Sequence, residues 1–200
     1  MSDTRHRLSR VLAALGSTML LVVLVLGPAS IAGALDEKPW TSVGSAGTVD
    51  EDSLDRILLH NAIAQVKSTG PNSASTIRYN IVAVEGLFGV EGITLTARFL
   101  DAHDDDQVLL LLRQANLFTG ALTTLVVLDS NAYPPSFSYQ TRSVCNAAGR
   151  FDFSQNAYYV EAILTKAAVR RGTGTGGLQV LSTPALAILQ VMGFCEAPPA

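Results

Sequence analysis

Apolar and polar residues alternate with a period of two along much of the chain after about residue 75. The segment 76–84 is rich in β-branched residues, and within 93–99 apolar side chains hold the odd positions and Thr or Arg the even ones. Successive side chains of a strand point to opposite faces, so the pattern predicts strands with one buried face. The other predicted strands are Val108–Leu117, Ala121–Leu128, Phe137–Val144, Tyr158–Thr165 and Leu186–Phe194. Repeated strands with little helical periodicity predict an all-β fold, an antiparallel β-sandwich or jelly roll.

The strongest local prediction is a hairpin whose turn is Thr119-Gly120, between two apolar runs. A two-residue turn there would place Leu117 opposite Leu122 and Arg113 opposite Val126. The predicted core face of this hairpin is Leu109, Leu111, Ala115, Leu117, Leu122, Val126 and Leu128.

The segment 53–67 fits two structures. Leu54, Ile57, Leu58 and Val66 have helical spacing, whereas Ile57, Leu59 and Ile63 alternate as in a strand. We favour the strand.

The N-terminus has the layout of a secretory signal peptide. Basic residues at positions 5–10 precede an apolar run over 11–26, and Gly27-Pro28 is followed by the small residues 32–34. We expect cleavage between Ala34 and Leu35, and therefore an exported protein of the cell envelope or extracellular space. The alternative is an uncleaved anchor, in which residues 11–34 would be the only contact with a membrane. The predicted organisation is a signal peptide (1–34), a flexible leader (35–52) and a β-sandwich domain (53–196).

Two cysteines in an exported chain predict a disulfide. Cys145 and Cys195 are the only cysteines, so they form the only possible intrachain pair. In the chain-entropy model such a loop contributes roughly 4 kcal/mol. The alternative is two buried free thiols.

Charge and histidine content exclude several functions. Removal of residues 1–34 leaves 11 basic and 16 acidic residues, a net charge of −5, and nucleic-acid binding would require a basic patch. Only His60 and His103 remain, and no serine has the surroundings of a nucleophile elbow, so a histidine-dependent hydrolase is not expected. The segment 170–177 lacks the Gly-Lys-Ser/Thr of a phosphate loop. We expect no enzymatic activity and no cofactor.

Acidic residues offer two further possibilities. Asp104-Asp105-Asp106, with Asp101 nearby, departs from the spacing of calcium loops, and we interpret it as a solvated loop rather than a metal site. A calcium site completed by Asp129 or Asp152 stays open. A polysaccharide-acting hydrolase would need two facing carboxylates, for which Glu85, Asp152 and Glu161 are available.

Aromatic residues around Pro134-Pro135 are the candidate ligand surface. Tyr133, Phe137 and Tyr139 cluster in a predicted loop, where planar rings can stack on the apolar face of a sugar. The alternative is that these rings pack in the core.

Four segments have a strand-rich pattern: Tyr79–Val84, Leu128–Asn131, Phe151–Phe153 and Asn156–Glu161. Through these segments the chain resembles small exported bacterial proteins of uncharacterised function over about residues 48–194. The resemblance implies export and a β-rich fold, and it carries no functional residue. We therefore expect a non-enzymatic binding or structural module whose partner is a glycan or an envelope protein. The alternatives are a carboxylate hydrolase and a subunit that assembles through a strand edge.

Overall fold

The protein folds as two antiparallel sheets packed face to face. The computed structural model describes residues 38–67, 74–88, 92–166 and 183–195. The strands of the described part are β1 (Trp40–Val43), β2 (Thr48–Val49), β3 (Ile57–His60), β4 (Ile63–Val66), β5 (Ser75–Ile81), β6 (Ile93–Asp101), β7 (Gln107–Asn116), β8 (Leu122–Asp129), β9 (Ser136–Asn146), β10 (Asn156–Thr165) and β11 (Ala185–Met192).

The strand order separates the chain into two sheets. The first has the order β3-β4-β11-β6-β9, with β1 also paired to β11, and the second has the order β2-β5-β10-β7-β8. Every pairing is antiparallel. The predicted all-β sandwich is thus confirmed.

The core lies between the two sheets and follows the period-two pattern. Leu95, Ala97 and Phe99 of β6 point inward from the first sheet, and Leu110 and Leu112 of β7 point inward from the second. Burial of these apolar surfaces drives the packing of the two layers.

Part of the segment interpreted as a flexible leader contributes strands to the sandwich. Strand β1 pairs with β11, and the indole of Trp40 is buried in the core. The following turn approaches the sheet closely: the Tyr79 hydroxyl donates to the Gly44 carbonyl at 2.5 Å. The residues around Gly44 have the composition of a linker. Glycine is nevertheless needed at this position, because its backbone lies directly against the backbone of Leu186 and Ala64.

The segment 53–67 forms strands, as favoured from the sequence. Strands β3 and β4 make a hairpin in the first sheet. Its two turn residues, Asn61 and Ala62, have φ of 46° and 67°. Positive φ at both central positions is the geometry that matches the twist of paired strands.

The β7–β8 hairpin exists, but its predicted register and core face are wrong. The turn has five residues, Leu117–Ala121, so that Ala115 lies opposite Leu122 and Arg113 opposite Thr124. A bulge between Leu112 and Arg113 of this pairing shifts the register again. As a result Leu110 and Leu112 are buried on β7, whereas the predicted core residues Leu117 and Leu122 are exposed; Val126 and Leu128 are buried as predicted.

The predicted disulfide joins Cys145 at the end of β9 to Cys195 beyond β11, with the two Cα atoms 5.4 Å apart. In the described ranges, no helix has the length and apolar character required to span a bilayer. The signal-peptide prediction, its cleavage site at Ala34 and Leu35, and the segment 170–177 lie outside the described residues.

Candidate functional site

Two loops meet over a cavity. The β6–β7 loop covers residues 102–106, and the β8–β9 connection contains a short 3₁₀ turn at Ser130–Ala132 followed by Pro134-Pro135. Between them is a cavity of about 150 Å³ lined by Asp101, His103, Asp104, Asn131, Tyr133 and Pro135.

Strand β9 is irregular where it begins beside this cavity. Phe99 pairs with Gln140 and Asp101 pairs with Ser136, so two residues of β6 span four of β9. The extra residues lie between Ser136 and Gln140, which is the segment that carries Phe137 and Tyr139. Bulges of this kind redirect side chains from the regular alternation of a strand.

The structure brings two of the three predicted aromatic residues to the cavity region. Tyr133 is half-buried and lines the cavity. Phe137 is 74% exposed, and its ring makes a T-shaped contact with the His103 ring, with centroids 5.6 Å apart. Tyr139 is half-buried, and the Arg98 guanidinium lies 5.8 Å from its ring centroid. Burial raises the pKa of Tyr139. Tyr139 is not among the lining residues.

Asp101 is a buried carboxylate at the end of β6. It is 3% exposed, and its Oδ1 has no hydrogen-bond partner in the described part of the chain. Burial is the largest cause of its raised pKa, the negative charges of Asp106 and Asp129 add to it, and bonds from the Ser130 hydroxyl and the His103 backbone N–H oppose it.

Hydrogen bonds around the 3₁₀ turn fix the β8–β9 loop to the start of β7, in the second sheet. The Ser130 hydroxyl accepts from the Val108 backbone N–H at 2.8 Å. Asp129 Oδ1 accepts from the Gln107 side chain at 2.9 Å and from the Asn131 backbone N–H at 3.0 Å. These bonds hold the lining residue Asn131 and the start of β7 in one arrangement, so the cavity has a preformed wall.

Sequence reasoning missed Asp101, His103 and Asn131 as lining residues. The interpretation of the acidic run as a solvated loop is correct for Asp104 and Asp105, which are exposed. It is wrong for Asp106, which is buried. An acidic residue that ends a buried strand, as Asp101 does, is the sequence signal that points to this position. Within the residues that the structure describes, no three Asp, Glu, His or Cys side chains converge as metal ligands.

Two of the three carboxylates considered for hydrolysis, Glu161 and Asp152, have other contacts. Glu161 accepts from Arg113 at 3.0 Å and from Arg78 at 3.5 Å, and Arg78 also pairs with Asp50. The Asp152 carboxylate accepts from the Ser154 hydroxyl and backbone N–H, which lowers its pKa. Glu161 therefore belongs to an ion-pair network on the second sheet rather than to the cavity.

No family model and no curated protein matches the chain. Among solved structures it is similar to "Structure of Eiger TNF from S. frugiperda", with a TM-score of 0.33 and 15% sequence identity, over 81% of this chain and 96% of that one.

Proposed function

We propose that this protein is an exported, non-enzymatic binding module that recognises a glycan of the cell envelope or the extracellular space. The observation that carries the proposal is the cavity at the β6–β7 loop, with polar groups inside it and an exposed aromatic ring beside it. Export is supported by the signal-like N-terminus and the disulfide.

The chemistry around the cavity suits a saccharide. A sugar ring has an apolar face, which stacks on an aromatic ring, and a periphery of hydroxyl groups, which need donors and acceptors. Tyr133 and Phe137 supply the rings, and Asn131, Asp104 and His103 supply the polar atoms. Little ordering of Asn131 is required on binding, because hydrogen bonds already brace the β8–β9 loop around its 3₁₀ turn.

A panel of soluble oligosaccharides, screened by calorimetry against the disulfide-bonded protein, tests the proposal. Phe137→Ala should weaken binding of the best ligand by about tenfold or more, since aromatic anchors contribute at least about 1–2 kcal/mol. Phe118→Ala is the matched control, because Phe118 is also an exposed loop phenylalanine (79%, against 74% for Phe137) but belongs to the β7–β8 turn. Binding of no saccharide, or equal losses in the two variants, would contradict the proposal.

A carboxylate hydrolase is the second candidate, since Asp101 and Asp104 line one cavity and a carboxyl group with a raised pKa can act as an acid. Incubation of the same oligosaccharides with the protein distinguishes the candidates. The binding module leaves every oligosaccharide intact, whereas a hydrolase shortens one of them and loses this activity in Asp101→Asn.

A further inference from the structure

We propose that the glycan ligand carries a free, protonated amino group, as a de-N-acetylated hexosamine does, and that this ammonium group is held by Asp101, Asp104 and Asn131. The inference rests on the proposed function and adds the chemical class of the ligand. The observation behind it is a buried carboxylate that lines a cavity and has an oxygen without a hydrogen-bond partner among the described residues.

The charge of the cavity wall favours a cation. Two carboxylates line the cavity, and no lysine or arginine is among the lining residues. Asp106 and Asp129 act on Asp101 through their negative charges and strengthen this field. Arg142 stacks over the Tyr133 ring, with its guanidinium carbon 4.9 Å from the ring centroid, but does not line the cavity. Asp101 accepts bonds from Ser130 and His103, but its Oδ1 has no hydrogen-bond partner among the described residues. A buried carboxylate without a cation nearby is costly, so a ligand that neutralises it gains affinity.

The hydrogen-bond acceptors in the cavity wall favour an ammonium group over a metal ion. An ammonium group has three N–H donors, which match two carboxylates and the amide oxygen of Asn131. A calcium ion takes six to eight oxygen ligands, and the convergent carboxylate set for it is missing from the described residues. The cavity of about 150 Å³ accommodates such a group with the ring atoms next to it, while Tyr133 packs against the sugar face.

The test compares two probes that differ only in this group. The glucosamine tetramer and the N-acetylglucosamine tetramer are titrated into the disulfide-bonded protein by calorimetry. We expect the glucosamine tetramer to bind about tenfold or more tightly, as a charge-assisted hydrogen bond would give.

Two adjacent acidic residues provide a matched pair of variants. Asp104 and Asp105 are both exposed in one loop, but only Asp104 lines the cavity. Asp104→Asn should reduce the preference for the glucosamine tetramer, and Asp105→Asn should leave it unchanged. Asp101→Asn should abolish the preference, and if this buried variant does not fold, the Asp104 and Asp105 pair still decides.

Each outcome bears on a different claim. Equal binding of both tetramers, or equal effects of Asp104→Asn and Asp105→Asn, would overturn the ammonium site and leave glycan binding in place. Failure of both tetramers, while a neutral oligosaccharide binds at Phe137, would also overturn it. Failure of every saccharide would overturn the proposed function itself.

Discussion

The carboxyl group of Asp101 is held in a neighbourhood that disfavours its charge. Burial and the nearby Asp106 and Asp129 raise its pKa, while the Ser130 hydroxyl only partly compensates. Buried charges of this kind reduce stability, and they are common at functional sites. The free energy of unfolding should therefore depend on pH through the same carboxyl group that the ligand would contact.

We predict a specific pH dependence for Asp101→Asn. Because the pKa of Asp101 is raised in the native state, the folded protein binds more protons than the unfolded chain just above the ordinary carboxyl pKa. The contribution of this group to the free energy of unfolding therefore falls as pH rises through the interval between the two pKa values, and Asp101→Asn removes that fall. Urea unfolding from about pH 3 to pH 7 measures it. A wild-type-minus-variant difference that does not change with pH would contradict the prediction.

Asp152→Asn is the control with the opposite sign. The bond from the Ser154 hydroxyl lowers the pKa of Asp152, so its contribution to stability is present above the ordinary carboxyl pKa and is lost as pH falls through the lowered one. The same urea series should show the variant losing stability relative to wild type as pH rises.

Gly44 is a second residue whose surroundings decide what is tolerated. A Cβ built there lies 1.9 Å from the Leu186 carbonyl oxygen, which is backbone and does not move easily. Gly44→Ala should reduce the free energy of unfolding by at least about 1–3 kcal/mol in urea titrations. The exposed neighbour Ala46 is the control, and Ala46→Ser should change it by no more than about 0.5 kcal/mol.

At the scale of elements, alternation identifies strands better than it identifies their faces. The sandwich and the strands in 53–67 follow from the sequence, but the inward face of β7 does not, because residues 108–112 are all apolar and both faces look alike. The register depends on a five-residue turn in which Asn116 Oδ1 accepts from the Phe118 and Thr119 backbone N–H groups. Neither this turn nor the bulge can be predicted from the alternation of apolar and polar residues.

The register of β7 is tested by two neighbouring leucines. Leu112 is fully buried and Leu111 is half-buried. Leu112→Ala should reduce the free energy of unfolding by about 2–5 kcal/mol, and Leu111→Ala should reduce it clearly less. The reverse order in urea unfolding would mean that the face predicted from the sequence was correct.

The candidate site could be predicted only in part, because a sequence pattern shows residue types but not contacts between distant parts of the chain. Tyr133 and Phe137 were found because aromatic residues beside Pro134-Pro135 are conspicuous. Asp101 and His103 were not predicted as cavity residues, because their place beside the cavity depends on the loop after β8, which is distant in sequence from the end of β6. The bulge that displaces Phe137 likewise depends on strand pairing.

For the whole molecule, the disulfide and the predicted signal peptide are tested together. Intact mass spectrometry of the protein from its native host should give a chain beginning at Leu35 whose cysteines are alkylated only after reduction. The double variant Cys145→Ala/Cys195→Ala should lose about 2–4 kcal/mol of stability. A full-length species with two alkylatable thiols would instead support the membrane-anchor alternative.

The most direct test of a glycan-binding module is to find where the ligand binds. In a ¹H–¹⁵N spectrum of the disulfide-bonded protein titrated with the glucosamine tetramer, we predict that shift changes concentrate in residues 101–104 and 131–137, on the two loops over the cavity. The β7–β8 turn, residues 117–121, should be unaffected. Saturable changes centred on that turn, or the absence of any saturable change with this and neutral oligosaccharides, would contradict the account.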